Sequence, residues 1–154
     1  MVDPDVRIER LKPTRVAWVR VVGRSPEQEA WSFLAPWASA AGLLDDPLAH
    51  PVYGFNNPPP APGIAEYGYE FWVAVDSETR PPEGVGLKEF EGGLYAVTSC
   101  HVGEDMPQRW KALLRWVHSS RHNWRRTAHE LERIQNPQAP SHEMVVDLCL
   151  PVDE

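Results

Sequence analysis

One supersecondary pattern occurs twice in this chain, and a duplicated unit restricts the available folds more than composition does. Ala17 to Trp37 (AWVRVVGRSPEQEAWSFLAPW) follows the same plan as Gly92 to Val117 (GGLYAVTSCHVGEDMPQRWKALLRWV). Each is a strand of small, β-branched and aromatic residues, then a glycine turn, then an amphipathic helix. Ala17 aligns with Ala96, Gly23 roughly with Gly103, Trp31 with Trp110, Leu34 with Leu113 and Trp37 with Trp116. Both helices therefore carry Trp-x-x-Leu-x-x-Trp, with a proline near each start (Pro26, Pro107). Farther on, YEFWVAVD (Tyr69–Asp76) aligns without a gap on VDLCLPVD (Val146–Asp153). The matches recur in the same order, so the chain reads as two copies of strand, helix, strand, strand. The copies span about residues 6–76 and 85–153 of a single 1–154 domain.

The chain in order fills in this plan. Val6 to Leu11 alternates apolar and charged residues, as a half-buried strand does, and Arg15 to Val22 is a second, valine-rich strand. Ser25-Pro26-Glu27-Gln28 predicts a helix start with a serine cap and a capping box. That helix runs to about Ala41, buries Ala30, Leu34, Trp37 and Ala41, and is expected to bend or break at Pro36. Glu27 and Glu29 are placed facing out. Val52–Phe55 is a short strand before the exposed run Pro58-Pro59-Pro60. Tyr67 to Val75 carries aromatics on both faces, so both are covered or one lines a cavity. Gly84 to Phe90 and Leu94 to Val102 are the next strands. Asp105 caps a second helix to about Ser119, with Trp110, Leu113 and Val117 apolar and Arg109, Lys111 and Arg115 solvated. Thr127–Arg133 and Met144–Val152 complete the strands.

Composition excludes several classes of function. A chain of 154 residues, 42% hydrophobic and 24% charged, is an ordinary globular domain with a real core. Its formal charge of −7 and lack of a basic block oppose contact with phosphate backbones, so direct nucleic-acid binding is not expected. No apolar run reaches the length of a membrane span, and MVDPDVRIER lacks a signal-peptide apolar region. Two cysteines in apolar, strand-like settings, Cys100 and Cys149, read as buried free thiols, and cytoplasmic residence follows. His118 and His122 have the i, i+4 spacing of metal ligands, with His129 beyond, but the glutamate of the usual zinc helix motif is missing. No metal and no cofactor are expected. Cys100 and His101 are neighbours in a strand and point to opposite faces, which argues against a Cys–His nucleophile.

Several stretches together resemble the GyrI-like small-molecule-binding domain. This effector-binding domain is known as the C-terminal half of some AraC-type and MerR-type multidrug-responsive regulators. The pattern is Gly92-Gly93-Leu94-Tyr95-Ala96, then Gly103, then Trp110-x-x-Leu113-x-x-Trp116. It continues through Ala128-His129-Glu130-Leu131-Glu132, Asn136-Pro137 and the closing Val146–Val152. In the first copy, Val52-Tyr53-Gly54-Phe55 followed by Pro58 matches. Glu132 and His129 depart from it, standing where the family often has tyrosine and an aromatic. The resemblance covers nearly the whole chain and implies an α+β fold of duplicated βαββ units. In that fold a curved antiparallel sheet carries two long helices on one face, and a ligand cleft lies along the pseudo-twofold axis. It also implies that Glu130 is the central pocket carboxylate.

Read without that resemblance, Glu130 is more often a solvated strand residue. Inside an aromatic cleft, a carboxylate resists ionisation unless a cation or donor approaches, so it would attract cations or act as a general acid or base. Seven tryptophans accompany four tyrosines and four phenylalanines. Trp18, Tyr53, Phe55, Trp72, Tyr95 and Trp110 could wall a flat ligand, whereas Trp31, Trp37 and Trp116 read as helix–sheet core. The candidate binding set is thus Tyr53, Phe55, Trp72, Tyr95, Trp110 and Glu130, with Glu130 the candidate catalytic residue. Three functions are compatible with these residues. The first is a stand-alone protein that senses or sequesters a hydrophobic, planar or cationic small molecule. The second is a hydrolase of strained electrophilic molecules using Glu130. The third is an inhibitor of a protein partner of the DNA gyrase type.

Overall fold

The computed structural model describes residues 5–154, so the first four residues of the N-terminal stretch lie outside the description. The architecture is α+β, with every paired strand antiparallel. Elements run β1 (Arg7–Leu11), β2 (Thr14–Gly23), α1 (Pro26–Ala40), β3 (Val52–Asn56), β4 (Tyr67–Val75) and β5 (Gly86–Phe90). β6 (Gly93–His101), α2 (Met106–Ser119), β7 (Leu131–Ile134) and β8 (Val145–Pro151) follow. Contacts divide the chain into two compact units. The first is Thr14–Phe90, and the second joins the segment up to Pro13 with Glu91–Glu154.

The duplication is present in the strand registers. In the first unit β2 lies between β4 and β5, and β4 pairs with β3. In the second unit β6 lies between β8 and β1, and β8 pairs with β7. Ala17 pairs with Val73 and Ala96 with Leu150, so the gapless match of β4 on β8 holds residue for residue. The edge strands are exchanged relative to chain order. β1 opens the first copy as bounded from the sequence but pairs with β6 of the second unit, and β5 opens the second copy but pairs with β2 of the first. Gly92 and Gly93, both at positive φ, turn the chain from β5 into β6, and a Cβ at Gly92 would meet the Leu11 carbonyl.

Each helix covers one face of its own sheet. Leu34 of α1 and Leu113 of α2, aligned in sequence, are both fully buried. Trp31 packs its ring on Phe71 of β4, with centroids 5.1 Å apart. Trp110 and Trp116 pack on the buried cluster that includes Ala96, Leu113, Val117 and Leu148.

Several local expectations need correction. Ser25 sits at the N-cap of α1 but makes no side-chain cap bond, so the capping box does not form; Glu27 and Glu29 in the first turn complement the helix dipole instead. α1 runs through Pro36. The carbonyl that the proline cannot reach belongs to Ser32, which is exposed and open to solvent. The buried stripe of α1 is Pro26, Ala30, Leu34 and Ala38, a strict four-residue spacing that leaves Trp37 half-buried and Ala41 exposed. Glu27 is half-buried and accepts a bond from the Tyr67 hydroxyl at 2.7 Å. Asp105 does cap α2, accepting from the Gln108 amide at 3.2 Å. Arg109 is not solvated; it folds back and donates to the Ser99 carbonyl. β7 is shorter than the predicted strand and starts at Leu131, because the backbone turns at Arg125 to Ala128. Cys100 and Cys149 are buried free thiols.

Candidate functional site

β-strand alternation assigns each residue of the first unit to one of two faces. α1 covers the face of Ala17, Val19, Phe71 and Val73. The opposite face carries Trp18, Tyr53, Phe55, Glu70, Trp72, Lys88 and Phe90. Trp72 is its centre. Phe55 and Phe90 lie 5.0 and 5.3 Å from it between ring centroids, and Tyr53, its cross-strand partner, meets it edge-on at 6.4 Å. Tyr53 also touches Phe90 at 5.6 Å. These tilted and edge-on contacts are the favoured geometries for aromatic pairs. Trp18 stands opposite Trp72 in the register, and Gly86, lacking a side chain, lets the Trp18 indole lie close over β5.

Within this aromatic layer lies a carboxylate. Glu70 is 2% exposed. The Trp72 indole nitrogen donates to it at 2.6 Å and the Asn57 amide at 3.3 Å. The Lys88 ammonium forms an ion pair with the same carboxylate oxygen that accepts from Trp72. That ammonium is also 4.5 Å from the Trp18 ring centroid and 5.2 Å from that of Trp72. A buried carboxylate is costly unless paired and hydrogen-bonded, and Glu70 is both. Lys88 is thus held by one anion and two π faces, the set of contacts that binds organic ammonium ions. Arg20, opposite Glu70 in the register, donates to the Asn57 carbonyl at 2.7 Å.

The second unit has a different chemistry on the face away from α2. Tyr95 is 1% exposed. Burial pushes its phenol up to about 12, with the Arg125 guanidinium, 5.8 Å from the ring, pulling the other way. Asp147 accepts from Ser99 Oγ and from Gln135 Nε2, each at 2.7 Å, and from Arg133 Nε at 3.0 Å. Burial alone would raise its carboxyl, but these bonds and the Arg133 charge hold it below the usual range. Arg133 also grips Glu9 with two bonds, at 2.7 and 3.0 Å, and lowers that carboxyl too.

The predicted site residues separate. Tyr53, Phe55 and Trp72 come together in the first unit, joined by Trp18. Tyr95 belongs to the second unit, and Trp110 packs on α2's side of that unit's sheet, the face opposite Tyr95. Glu130 lies just before β7 on an exposed stretch. Loss of solvent around its carboxyl raises it, and it has no hydrogen bond or ion pair among the described residues. The sequence reading missed Glu70, Lys88, Phe90 and Asn57. A signal for Glu70 was present: it is the one charged residue in an otherwise apolar and aromatic strand, and it aligns with Asp147. Among the described residues no group of three His, Cys, Asp or Glu side chains could hold a metal ion. Nor is any helix long and apolar enough to cross a membrane. A surface depression beside α1, lined by Gln28, Glu29, Ser32 and Phe33, contains none of the predicted residues.

Solved structures share this fold at low identity. EcmrR in a DNA complex is 13% identical with a TM-score of 0.70, over 100% of this chain and 59% of that one. A hydrolase from Listeria innocua is 12% identical with a TM-score of 0.68, over 98% and 93%. SAV2435 bound to tetraphenylphosphonium is 15% identical with a TM-score of 0.62, over 97% and 94%. No curated protein matches by sequence. The model of the GyrI-like small molecule binding domain, however, matches residues 4–153, nearly every residue of the duplicated unit traced above. The chain belongs to the GyrI-like small-molecule-binding family.

Proposed function

We propose that the aromatic face of the first unit is the binding wall for a lipophilic small molecule with flat apolar surfaces. The observation that carries this reading is the layer of Trp18, Tyr53, Phe55, Trp72 and Phe90 built around a buried carboxylate. Tyr53, Phe55, Trp72 and Phe90 are buried, so the layer is a rigid apolar backing for a ligand, and polar groups within it fix the ligand's orientation. Trp18, half-buried, and Lys88, with 35% of its side chain exposed, are where a ligand would enter. The SAV2435 structure supports the reading, since its ligand presents four phenyl rings. The protein acts by binding, in the cytoplasm, with no contact to nucleic acid or membrane. The test is a thermal-shift screen of polyaromatic compounds followed by titration. Trp18→Ala should weaken the best ligand about tenfold, or ~1.4 kcal/mol. Equal affinity in Trp18→Ala and wild type would remove the wall from the site.

A second reading, hydrolysis of a strained electrophile, is favoured by one observation. Glu130 has a raised carboxyl and makes no hydrogen bond or ion pair among the described residues, which leaves it open to a substrate's proton. The same titrations, with products analysed, separate the two readings. Glu130→Gln should reduce any turnover by about a hundredfold while leaving binding intact.

A further inference from the structure

We propose that Lys88 is a built-in occupant of an ammonium site, and that it sets the charge of the ligand this protein accepts. The inference rests on the first unit's aromatic face being the binding wall, and it adds the ligand's electrostatic class.

The site has the parts of a cation receptor: a carboxylate 2% exposed and two indole faces within 4.5 and 5.2 Å of one ammonium. Trp72 and Asn57 donate to the carboxylate but bring no charge, so the Lys88 ammonium neutralises Glu70. An external cation would have to evict Lys88, which stays tethered to β5 and competes as an intramolecular ligand at high effective concentration. The second basic group on this face, Arg20, lies across from Glu70 and is exposed. Arg20, Lys88 and Glu70 are the charged residues that β2, β4 and β5 direct to this face, and they sum to one positive charge. The chain as a whole carries −7. The wall is therefore a locally basic place on an acidic protein. Lys88 is also partly exposed, and its ammonium has three donors, of which Glu70 needs one. A ligand carrying a carbonyl, nitro or carboxylate oxygen can accept from the others without disturbing the pair. The favoured class is flat, neutral or anionic molecules with an acceptor oxygen, and cations are excluded by Lys88 itself.

Tetraphenylphosphonium and tetraphenylborate have nearly the same shape and opposite charge, which makes them the probes for this idea. Each is titrated calorimetrically in sodium buffer at fixed ionic strength against wild type, Lys88→Met, Lys88→Arg and Lys88→Met/Glu70→Gln. Wild type should bind the borate more tightly than the phosphonium. Lys88→Met keeps the apolar stem on the two indoles but frees the carboxylate, so the Kd ratio should swing at least tenfold towards the phosphonium. Lys88→Arg should stay within about threefold of the wild-type ratio. The double variant, which leaves no buried charge unpaired and so guards against loss of folding in Lys88→Met, should lose the phosphonium gain and show little preference. If both ions bind but the ratio is the same in wild type, Lys88→Met and the double variant, Lys88 does not set ligand charge, while the binding wall stands. A wild-type preference for the phosphonium also overturns the proposal. If neither ion binds any variant, the wall and the role of Lys88 fail together.

Discussion

Glu70 and Asp147 occupy the same position in the two repeats, the second residue of the aligned closing strands, yet they are satisfied in opposite ways. In each unit the edge strand brings charge to the carboxylate. In the first unit it is Lys88, opposite Val16; in the second it is Glu9, opposite Tyr95, the residue that aligns with Val16, together with Arg7 of the same strand, 3.5 Å from Asp147. Where the edge strand supplies a base, one ion pair neutralises the carboxylate. Where it supplies an acid as well as a base, two carboxylates share cations, and Arg7 lies 3.4 Å from Glu9 and 3.5 Å from Asp147. Arg133 adds a second cation from β7, bound more closely to both, at the register position that Phe55 holds on β3. Glu9 on the edge strand thus goes with a guanidinium on the inner strand, and Lys88 with an aromatic ring. The difference teaches why only one unit has an aromatic wall. The Asp147 cluster is saturated, with Ser99, Gln135, Arg133, Glu9 and Arg7 all engaged, and acts as a clasp holding β1 to the sheet. The Glu70 cluster leaves donors of a partly exposed ammonium free to meet a ligand.

The largest expected effect follows from that saturation. Asp147→Ala strips the half-buried Arg133 guanidinium of one partner and leaves Ser99 and Gln135 without their acceptor. Breaking a buried pair from one side should cost about 3–5 kcal/mol, read from urea unfolding. A loss below about 1 kcal/mol would show that the cluster is not a clasp.

A double-mutant cycle tests the exchange itself. Glu9→Lys places a base beside Arg133 and should destabilise the second unit, whereas Glu9→Lys/Arg133→Phe imitates the first unit's arrangement. The two substitutions should be coupled favourably by about 1–3 kcal/mol. Additive effects would mean that the edge-strand charge and the inner-strand residue are independent.

Acid titration should give the smallest and most graded difference. Asp147 and Glu9 have lowered carboxyl values in the folded state, so their stabilisation is present above the unfolded-state value and is lost as pH falls through the folded one. The urea midpoint should therefore decline below about pH 4. In Glu9→Gln the decline should be shallower, because one of the two linked protons is removed. Identical pH profiles for Glu9→Gln and wild type would exclude Glu9 from the linkage.

Much of this was determined by the sequence alone. The duplication, the two helices, the Asp105 cap and the one-to-one match of Tyr69–Val75 with Val146–Val152 are local or periodic properties, carried by side-chain spacing along one strand or helix. The strands that carry Tyr53, Phe55 and Trp72 were legible too, but that these rings share one face, apart from Tyr95 and Trp110, followed only from the pairing of β3 with β4. What tertiary structure decided is everything set by which strands become neighbours. Exchange of β1 and β5 between the repeats brings Lys88 to Glu70, 18 residues away, and Glu9 to Arg133, 124 residues away. It also sends Trp110 to the helix side of its sheet and leaves Glu130 outside β7. A charged residue's worth depends on its burial and its partner, and in an antiparallel sheet the partner comes from a different strand, so neither Glu70 nor Lys88 could declare its role in one dimension.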